Sequence, residues 1–187
     1  TRDQVIGYCK ELKASLEDES FGKSPIRVFI DDSSLRGGEK TWGWIKKGAP
    51  IQLQVGPRDI ESDSVMVKMR DKDFKDKQLM KRGEFVEQAS SILQEFHKNL
   101  LNKALNFREE NTTQVFSKEE LYELYSEKGK GGFATCFWHE DAQIEEELKK
   151  DLKITTRCYP LQDQKEEGKC CFTGKEGGKK IIFATSY

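Results

Sequence analysis

The sequence predicts an α/β protein made of two small domains, and two kinds of periodicity carry that prediction. Apolar residues at helical spacing give residues 3–18 one apolar face, formed by Val5, Cys9, Leu12 and Leu16. Side chains alternate over 51–55 and again over 65–69, which predicts two strands, and a helical pattern occupies 78–107. Helices that alternate with short strands are typical of the α/β class.

The remaining elements of the first half are placed by the residues that begin and end them. A β-rich run at 26–30 predicts a strand. Gly37 and Gly38 are expected to break the chain before a short helix over 41–47, which Gly48 ends. The predicted order is therefore helix, strand, helix, strand, strand, followed by the long helix.

The second half repeats the alternation on a smaller scale. Ser117 and Glu120 match a capping box for a helix that runs to about residue 127. The pattern then predicts a strand at 133–138, a charged helix at 141–152, a strand at 154–159 and a last strand at 181–184. Cys136 and Cys158 fall on these strands, so we expect both to be small core residues. Residues 107–113 are the predicted joint between the domains.

The composition indicates that any nucleic-acid binding must come from a local surface, because the overall charge is close to zero. Charged and hydrophobic residues each make up 35% of the chain and the formal net charge is −1, so nucleic-acid binding requires a local basic patch. The window 34–47 supplies one, with Arg36, Lys40, Lys46 and Lys47 against the single acid Glu39, and with Trp42 and Trp44.

This basic aromatic window has the chemistry that single-stranded RNA requires. Aromatic planes stack on splayed bases, while cations and carboxylates contact phosphates and base edges. Trp42 and Trp44 are two residues apart, so they point to different faces of a helix, and we expect one to pack in the core and the other to be free. Asp31 and Asp32 follow a predicted strand, where open α/β sheets place ligand sites. The alternative is that the tryptophans only pack and the lysines are solvated.

The sequence contains no membrane, secretory or catalytic signature. No apolar run approaches the length of about 18 residues that a membrane helix needs, and the N-terminus has no signal-peptide core. The five cysteines are not spaced like a secreted disulfide framework, which favours a reducing cytosol. No Ser-His-Asp or Cys-His arrangement can be assembled, so we expect a cytoplasmic binding module rather than an independent enzyme.

Residues 31–59 and 168–187 carry a resemblance to a known family. The first stretch resembles the anticodon-binding domain of prolyl-tRNA synthetases of the eukaryotic and archaeal type, with matches at Asp31, Asp32, Gly38, Lys40, Trp44, Lys47, Gly48, Pro50, Gly56, Pro57, Arg58 and Asp59. The chain end resembles the C-terminal domain of the same enzymes. The resemblance implies an anticodon-binding α/β domain at 1–107, with a mixed sheet flanked by helices, and a small zinc-binding-like α/β domain at 108–187.

The resemblance also implies which residues contact RNA. Proline anticodons carry two guanines, which offer donors to a carboxylate and acceptors to Arg or Lys. The family has an acidic residue where this chain has Ile45, so Asp31, Asp32, Glu39 or Asp59 would have to replace it. The predicted anticodon-binding residues are Asp31, Asp32, Arg36, Lys40, Trp44, Lys47 and Arg58. For Arg58 and Asp59, an ion pair that fixes a turn is an equal alternative.

The family's second domain often binds zinc, but this chain lacks a full set of ligands. The first pair of ligand positions would fall at His139 and Ile144, and the second at Cys170 and Phe172 or Thr173. Ile and Phe cannot bind zinc, and Cys171 beside Cys170 is a poor substitute. We therefore expect no metal, only a degenerate zinc site at His139, Cys170 and Cys171.

For the whole protein, the resemblance implies a class II ligase that joins proline to its tRNA. ATP and Mg would bind a catalytic domain outside this chain, which by itself is expected to be inactive and to hold no cofactor. The implied partners are a tRNA for proline, that catalytic domain, which Tyr187 would help to dock, and a second copy in a homodimer; no membrane is implied. The alternative is a free-standing RNA-binding or protein-interaction paralogue.

Overall fold

The computed structural model describes residues 1–73, 75–161 and 166–186, and the chain divides into two compact units, Thr1–Lys103 and Ala104–Tyr187. The sequence pattern places the boundary after residue 107 instead. Helices and short strands alternate through both units, which confirms the α/β class. In the part of the chain that the structure describes, no helix is both long and apolar enough to cross a lipid bilayer.

The elements of unit 1 follow one another closely. In chain order they are α1 (Arg2–Asp18), β1 (Ser20–Phe21), β2 (Ser24–Pro25), α2 (Gly37–Lys46), β3 (Ile51–Gln54), α3 (Pro57–Glu61), β4 (Ser64–Met69), β5 (Lys77–Lys81) and α4 (Arg82–Glu110), which crosses the division between the units.

Helix α1 begins at a capping box and presents one apolar face, as predicted. The Thr1 hydroxyl accepts a hydrogen bond from the Gln4 amide, and the Gln4 side chain reaches back to Thr1, so two unpaired helix-end donors are satisfied. Tyr8, Leu12 and Leu16 are the buried positions of the helix. Their spacing of four residues places them on one side, against the sheet.

Strands β3, β4 and β5 form an antiparallel sheet in that order, with α1 and α4 packed on one face. Val65 lies opposite Met80, and both contact the apolar faces of the two helices. The prediction of a helix from residue 78 is wrong at its start, because Lys77–Lys81 is strand β5 and the helix begins at Arg82. Pairing with β4 buries Met80, and this tertiary gain outweighs the local helical pattern.

The predicted strand at 26–30 is not a strand in the structure. The segment is extended, with half-buried Ile26 and Val28 packed on the core of unit 1 and with Arg27 and Phe29 exposed. Its recorded backbone contact is the hydrogen bond from the Ile26 amide to the Glu19 carbonyl. The alternating composition therefore predicts the extended conformation and the buried side correctly, but strand formation also needs a paired neighbour.

Unit 2 contains a mixed sheet covered by two helices. Its elements are β6 (Thr112–Gln114), α5 (Lys118–Leu124), β7 (Phe133–Trp138), α6 (Ala142–Leu152), β8 (Ile154–Cys158), β9 (Glu167–Gly168) and β10 (Gly178–Thr185). The order is β6-β7-β10-β8, with β9 also paired to β10; β6 is parallel to β7 and the other pairs are antiparallel. The strands predicted at 133–138 and 154–159 and the charged helix are confirmed, whereas β6 replaces part of the predicted joint.

The core of unit 2 is centred on Phe183 of β10, which is 0% exposed. Its ring centroid lies 5.0 Å from that of Trp138 and 6.0 Å from that of Phe172. Cys136 is buried in the same cluster, as predicted. The prediction for Cys158 is wrong: it is exposed, because a register shift between Ile182 and Phe183 pairs it with Ile182 rather than with a core-facing residue.

Replacing Phe183 by alanine should remove the centre of this core. We expect a loss of about 3–5 kcal/mol in the free energy of unfolding, because a fully buried aromatic ring leaves a cavity. Chemical denaturation measures this loss. The matched control is Phe116→Ala, since Phe116 is 67% exposed and its removal should change the stability little. Equal losses in the two variants would contradict this account of the core.

Candidate nucleic-acid interface

The carboxylate of Asp31 organises the predicted RNA-binding segment. One oxygen accepts a hydrogen bond from Trp44 Nε1 at 2.7 Å. The other accepts bonds from the Ser33 hydroxyl at 2.6 Å and the Ser33 amide at 3.1 Å. Lys40 Nζ lies 3.5 Å from the same oxygen and donates to the Asp31 carbonyl at 2.9 Å. Both oxygens of Asp31 are therefore already engaged within the protein.

This set of donors stabilises the ionised form of Asp31. Hydrogen bonds from the side chains of Ser33 and Trp44, followed by the Ser33 amide and the charge of Lys40, hold the pKa of Asp31 well below its ordinary value. Asp31 and Lys40, both predicted as RNA contacts, contact each other. Their mutual contacts favour a role in positioning Trp44 over direct contact with a base.

Trp44 carries an exposed aromatic stack. The Phe29 ring lies 4.6 Å from the Trp44 ring between centroids, with an interplanar angle of 42°, and Phe29 is 70% exposed. Lys47 Nζ lies 4.2 Å from the centroid of the Trp44 ring. Phe29, which is fifteen residues before Trp44 in the sequence, thus joins Trp44 and Lys47 in an aromatic surface with a cation beside it.

The expectation that one tryptophan of α2 packs in the core is wrong. Trp44 is half-buried against Asp31 and Phe29 rather than in the core cluster of unit 1, and Trp42 is 56% exposed. Thr41 is the buried residue of α2 instead. The Thr41 carbonyl accepts a hydrogen bond from Gln52 Nε2 of β3 at 3.0 Å, so this position of α2 faces the sheet.

Helix α2 begins at Gly37 rather than at the predicted residue 41, and Arg36 directly precedes it. Gly37 and Gly38 form its first turn rather than a break, because the Glu39 carboxylate accepts the Arg36 amide hydrogen bond at 3.0 Å. Arg36 thereby becomes the residue before the helix, with an exposed side chain. Its guanidinium makes no recorded contact in the described parts of the chain, so it is available to a ligand.

Arg58 and Asp59 do not form the ion pair that was the alternative interpretation of this turn. Asp59 Oδ2 accepts a hydrogen bond from the Gly56 amide at 2.7 Å, which fixes the start of α3. Arg58 is exposed on that short helix. The structure describes no salt bridge between the two side chains, so Arg58 also remains available.

Four acids could replace the family's carboxylate, and Asp32 differs from the other three because its carboxylate does not hold local structure among the described residues. Asp31, Glu39 and Asp59 each accept a hydrogen bond that holds local structure. Asp32 is exposed, its backbone carbonyl accepts a hydrogen bond from Arg2 Nη2 at 2.9 Å, and its carboxylate has no recorded partner within 1–73, 75–161 and 166–186.

Sequence reasoning missed Phe29. The signal was present, because Arg27 and Phe29 alternate with Ile26 and Val28, and period-two alternation places the two pairs on opposite sides. Treating the whole run as a core strand hid the exposed side.

The degenerate zinc site does not fit a zinc ion in the described residues. No group of three or more His, Cys, Asp or Glu side chains there is arranged to hold a metal. His139 Nε2 donates to the Glu176 carbonyl at 2.9 Å, so that nitrogen is occupied. Burial raises the pKa of Cys170, but hydrogen bonds from Thr173 and from the amides of His139 and Phe172 outweigh it, and the pKa lies below its ordinary value.

Cys171 faces a different neighbour. Its amide donates to the Phe137 carbonyl at 2.9 Å, and its thiol is hydrogen-bonded to Cys136. That bond, together with burial, raises the pKa of Cys136 strongly. The two adjacent cysteines thus belong to separate contacts. Tyr187, the predicted docking residue, lies outside the described residues.

Comparison with known protein families matches most of the chain. Residues 1–92 match the family described as anticodon binding domain, and residues 121–187 match the family described as prolyl-tRNA synthetase, C-terminal.

Individual relatives extend over the whole chain. A protein named proline–tRNA ligase 2 from Anaeromyxobacter dehalogenans is 37% identical over 196 residues, which cover 100% of this chain and 38% of that protein. A proline–tRNA ligase from Protochlamydia amoebophila is 39% identical over 191 residues, with 98% and 38% covered. This chain therefore spans less than two fifths of the length of these relatives.

A solved structure agrees in fold. The crystal structure of prolyl-tRNA synthetase from Cryptosporidium parvum, complexed with L-proline and AMP, superposes with a TM-score of 0.79 at 31% identity. The match covers 97% of this chain and 37% of that chain.

Replacing Asp31 by asparagine should loosen Trp44. We expect greater quenching of tryptophan fluorescence by acrylamide in a Trp42→Phe background, because a neutral amide is a weaker acceptor for the indole N–H of Trp44. The other remaining tryptophan, Trp138, is buried, so it should contribute the same weakly quenched signal to each variant. Because the folded pKa of Asp31 is depressed, the wild-type contact should persist as the pH falls past the ordinary value of about 3.9 and be lost only below it. The variant should show no such transition. Asp32→Asn is the control, and an equal effect there would contradict the assignment.

Metal analysis tests the degenerate zinc site. We propose that unit 2 folds without metal, so the purified protein should contain well below one zinc per chain, and a chelator should leave its thermal unfolding unchanged. A content near one zinc per chain would overturn this proposal.

Proposed function

Because this chain belongs to the prolyl-tRNA synthetase family, as its C-terminal region, we propose that it binds the anticodon loop of a tRNA for proline. Unit 1 would read the anticodon while the acceptor end of the tRNA reaches a catalytic site in a part of the protein outside this chain. Binding energy far from the reaction would then serve to position the substrate. The observation that carries the proposal is the exposed Phe29–Trp44 stack beside Lys47 in the segment that matches the anticodon binding domain.

Phe29 is the surface on which an anticodon base would stack. Unstacked bases in RNA loops bind exposed aromatic rings, and each such contact contributes about 1–3 kcal/mol. Trp44 supports Phe29 from behind, and Asp31 fixes Trp44. A ring that is already held loses little conformational freedom when a base binds to it.

Exposed cations of unit 1 would contact phosphates and guanine edges. Arg36 and Arg58 have exposed guanidinium groups, which match the O6 and N7 acceptors of guanine in a bidentate manner. Lys47 lies over the Trp44 ring, where its charge would favour an electron-rich base or a phosphate. Lys40 serves mainly to hold Asp31.

Asp32 is the carboxylate best placed to read guanine. The N1–H and N2–H donors of guanine need an acceptor that the protein has not already used. Ile45 stands where the family has an acid, and the other three acids hold local structure. The bond from Arg2 to the Asp32 carbonyl fixes the backbone and leaves the carboxylate towards solvent.

For the whole protein we propose the activity named for its relatives, the ATP-dependent attachment of proline to tRNA. ATP and Mg would bind the catalytic domain, and that domain would also form the homodimer. Tyr187 would dock on it; Ser186, the residue before it, is held by hydrogen bonds from its amide at 2.7 Å and its hydroxyl at 2.9 Å to the Lys153 carbonyl. The expected location is the cytoplasm.

Binding of this chain to a proline tRNA tests the proposal. We expect the affinity to fall by about 1–3 kcal/mol for each anticodon guanine that is changed, because each loses its edge contacts. Fluorescence anisotropy across a salt series separates this effect from phosphate contacts. Equal binding to all sequences would remove anticodon reading, and the absence of any binding would favour a protein-interaction module.

Two variants locate the contacts within the site. Phe29→Ala should weaken binding to every tRNA tested, whereas Asp32→Asn should reduce the discrimination between guanine and other bases with a smaller effect on overall affinity. Phe116→Ala, at an exposed phenylalanine of unit 2, is the matched control. If Phe29→Ala binds like this control, Phe29 is not the stacking surface.

A further inference from the structure

Two thiols of unit 2 that the proposed function does not use are in contact with each other. Cys136, on β7, is 1% exposed and belongs to the core of the unit. Cys171 follows β9 and packs against the same core, but part of it stays open to solvent. Both cysteines are free, and Cys171 comes thirty-five residues after Cys136 in the sequence. The fold therefore brings together two reactive groups, one buried and one accessible.

Backbone hydrogen bonds hold Cys171 beside β7. Its amide donates to the carbonyl of Phe137, the residue after Cys136, at 2.9 Å. The chain then turns back, because the Gly174 amide donates to the Cys170 carbonyl at 2.9 Å. Cys171 thus lies in a turn that is fixed both to the strand and within itself, so its position relative to β7 is defined.

The two side chains meet with the geometry that precedes a disulfide. The Cys136 thiol donates a hydrogen bond to the sulfur of Cys171. Chain segments joined by a backbone hydrogen bond lie about 4.8 Å apart, and a disulfide spans Cα separations of about 4.4–6.8 Å. A bond between the two sulfurs therefore requires little movement of the backbone.

Cys170, the third cysteine of this region, is directed elsewhere. Its sulfur accepts hydrogen bonds from the Thr173 hydroxyl and from the amide of His139, among others, and the residue is 3% exposed. Adjacent residues have Cα atoms about 3.8 Å apart, which is shorter than the usual span of a disulfide, so a bond between Cys170 and Cys171 is strained. Cys171 has its unstrained partner in Cys136.

We propose that Cys136 and Cys171 form a redox pair, which a hydroperoxide such as hydrogen peroxide converts into a reversible disulfide that fastens the 169–175 segment to β7. The pair lies in unit 2, so the proposal is independent of RNA binding by unit 1. Free thiols that contact each other react in this way when one of them is accessible to the oxidant.

The reaction takes place in two steps. The more exposed sulfur, that of Cys171, attacks one peroxide oxygen, the O–O bond breaks, and a sulfenic acid and one water form. The sulfur of Cys136 then attacks the sulfur of Cys171, the S–O bond breaks, and the hydroxide leaves with the Cys136 proton as a second water. The hydrogen bond to Cys171, followed by burial, raises the pKa of Cys136 strongly, so Cys136 is still a thiol when Cys171 meets the oxidant.

The disulfide would stabilise unit 2 while the oxidant is present. It closes a covalent ring over residues 136–171, which contain α6 and β8. The ring removes conformational freedom from the unfolded chain, so the oxidised form unfolds at a higher temperature. A dithiol reductant reverses the bond by thiol exchange and returns the unit to its former stability.

Peptide mapping of the full chain tests the pairing. The chain is treated with hydrogen peroxide, the remaining thiols are alkylated, and the protein is digested with trypsin without reduction. Cleavage after lysine separates Cys136, in peptide 131–149, from Cys171, in peptide 170–175. We expect the two peptides to be joined, with two hydrogen atoms fewer than their sum, and to separate in dithiothreitol. The midpoint of thermal unfolding should rise by several degrees on oxidation and fall again on reduction.

Single variants identify the sulfur that takes part. Cys171→Ala should abolish the joined peptides and the rise in the midpoint, whereas Cys170→Ala should retain both. Cys158→Ala, at an exposed cysteine of the same unit, is the matched control and should also retain both. Joined peptides that persist in Cys171→Ala and disappear in Cys170→Ala would overturn the assignment. Wild-type protein whose Cys171 is oxidised without joining the peptides, or that links only between chains, would overturn the proposal itself.

Discussion

The hydrogen bond from Trp44 Nε1 to the Asp31 carboxylate is the contact on which the proposed interface depends. The segment at 26–30 has no strand partner among the described residues, so a sheet does not hold it in place. Three contacts hold it instead. Ile26 and Val28 are partly buried on the core, Arg2 donates a hydrogen bond to the Asp32 carbonyl, and the Asp31 carboxylate accepts one from Trp44. Phe29 can present its ring to a base only because these three anchors fix the backbone around it.

The charged residues of unit 1 fall into two groups: some hold local structure in position, and others are exposed and could bind RNA. Lys40 and the carboxylates of Asp31, Glu39 and Asp59 are used inside the structure, where they fix the 31–44 segment and the starts of α2 and α3. The groups that remain exposed are Asp32, Arg36 and Lys47 in or beside α2, Arg58 on α3 and the lysines of β5. A chain with a net charge of −1 can thus still carry exposed basic groups at particular positions of unit 1.

In unit 2, packing and hydrogen bonds hold the residues at the degenerate zinc-site positions. At the positions where the resemblance would place the last ligand, Phe172 packs on Trp138 and Phe183, and the Thr173 hydroxyl is bonded to the Cys170 sulfur. The aromatic cluster buries apolar surface that a small zinc domain usually lacks. Amide and hydroxyl donors form hydrogen bonds to the sulfur of Cys170.

The sequence by itself determined the local elements whose periodicity agrees with their burial, such as α1, β4, β7 and α6. It also determined the spacing of residues 31–59, on which the family resemblance rests. It indicated the right segment for binding, because Arg36, Trp44 and Lys47 lie within one window. Properties that follow from neighbours along the chain were therefore predictable.

Only the tertiary structure decided which of these side chains are hydrogen-bonded within the protein and which are exposed to a ligand. Asp31 and Asp32 are adjacent and chemically identical, yet one is bound by Trp44 and Ser33 while the other is exposed. Residues 77–81 form a strand rather than a helix because β4 lies beside them, and residues 26–30 form none because no strand of the described residues pairs with them. The physical reason is the same in each case: hydrogen-bond partners and strand neighbours come from distant parts of the chain, and no local pattern specifies them.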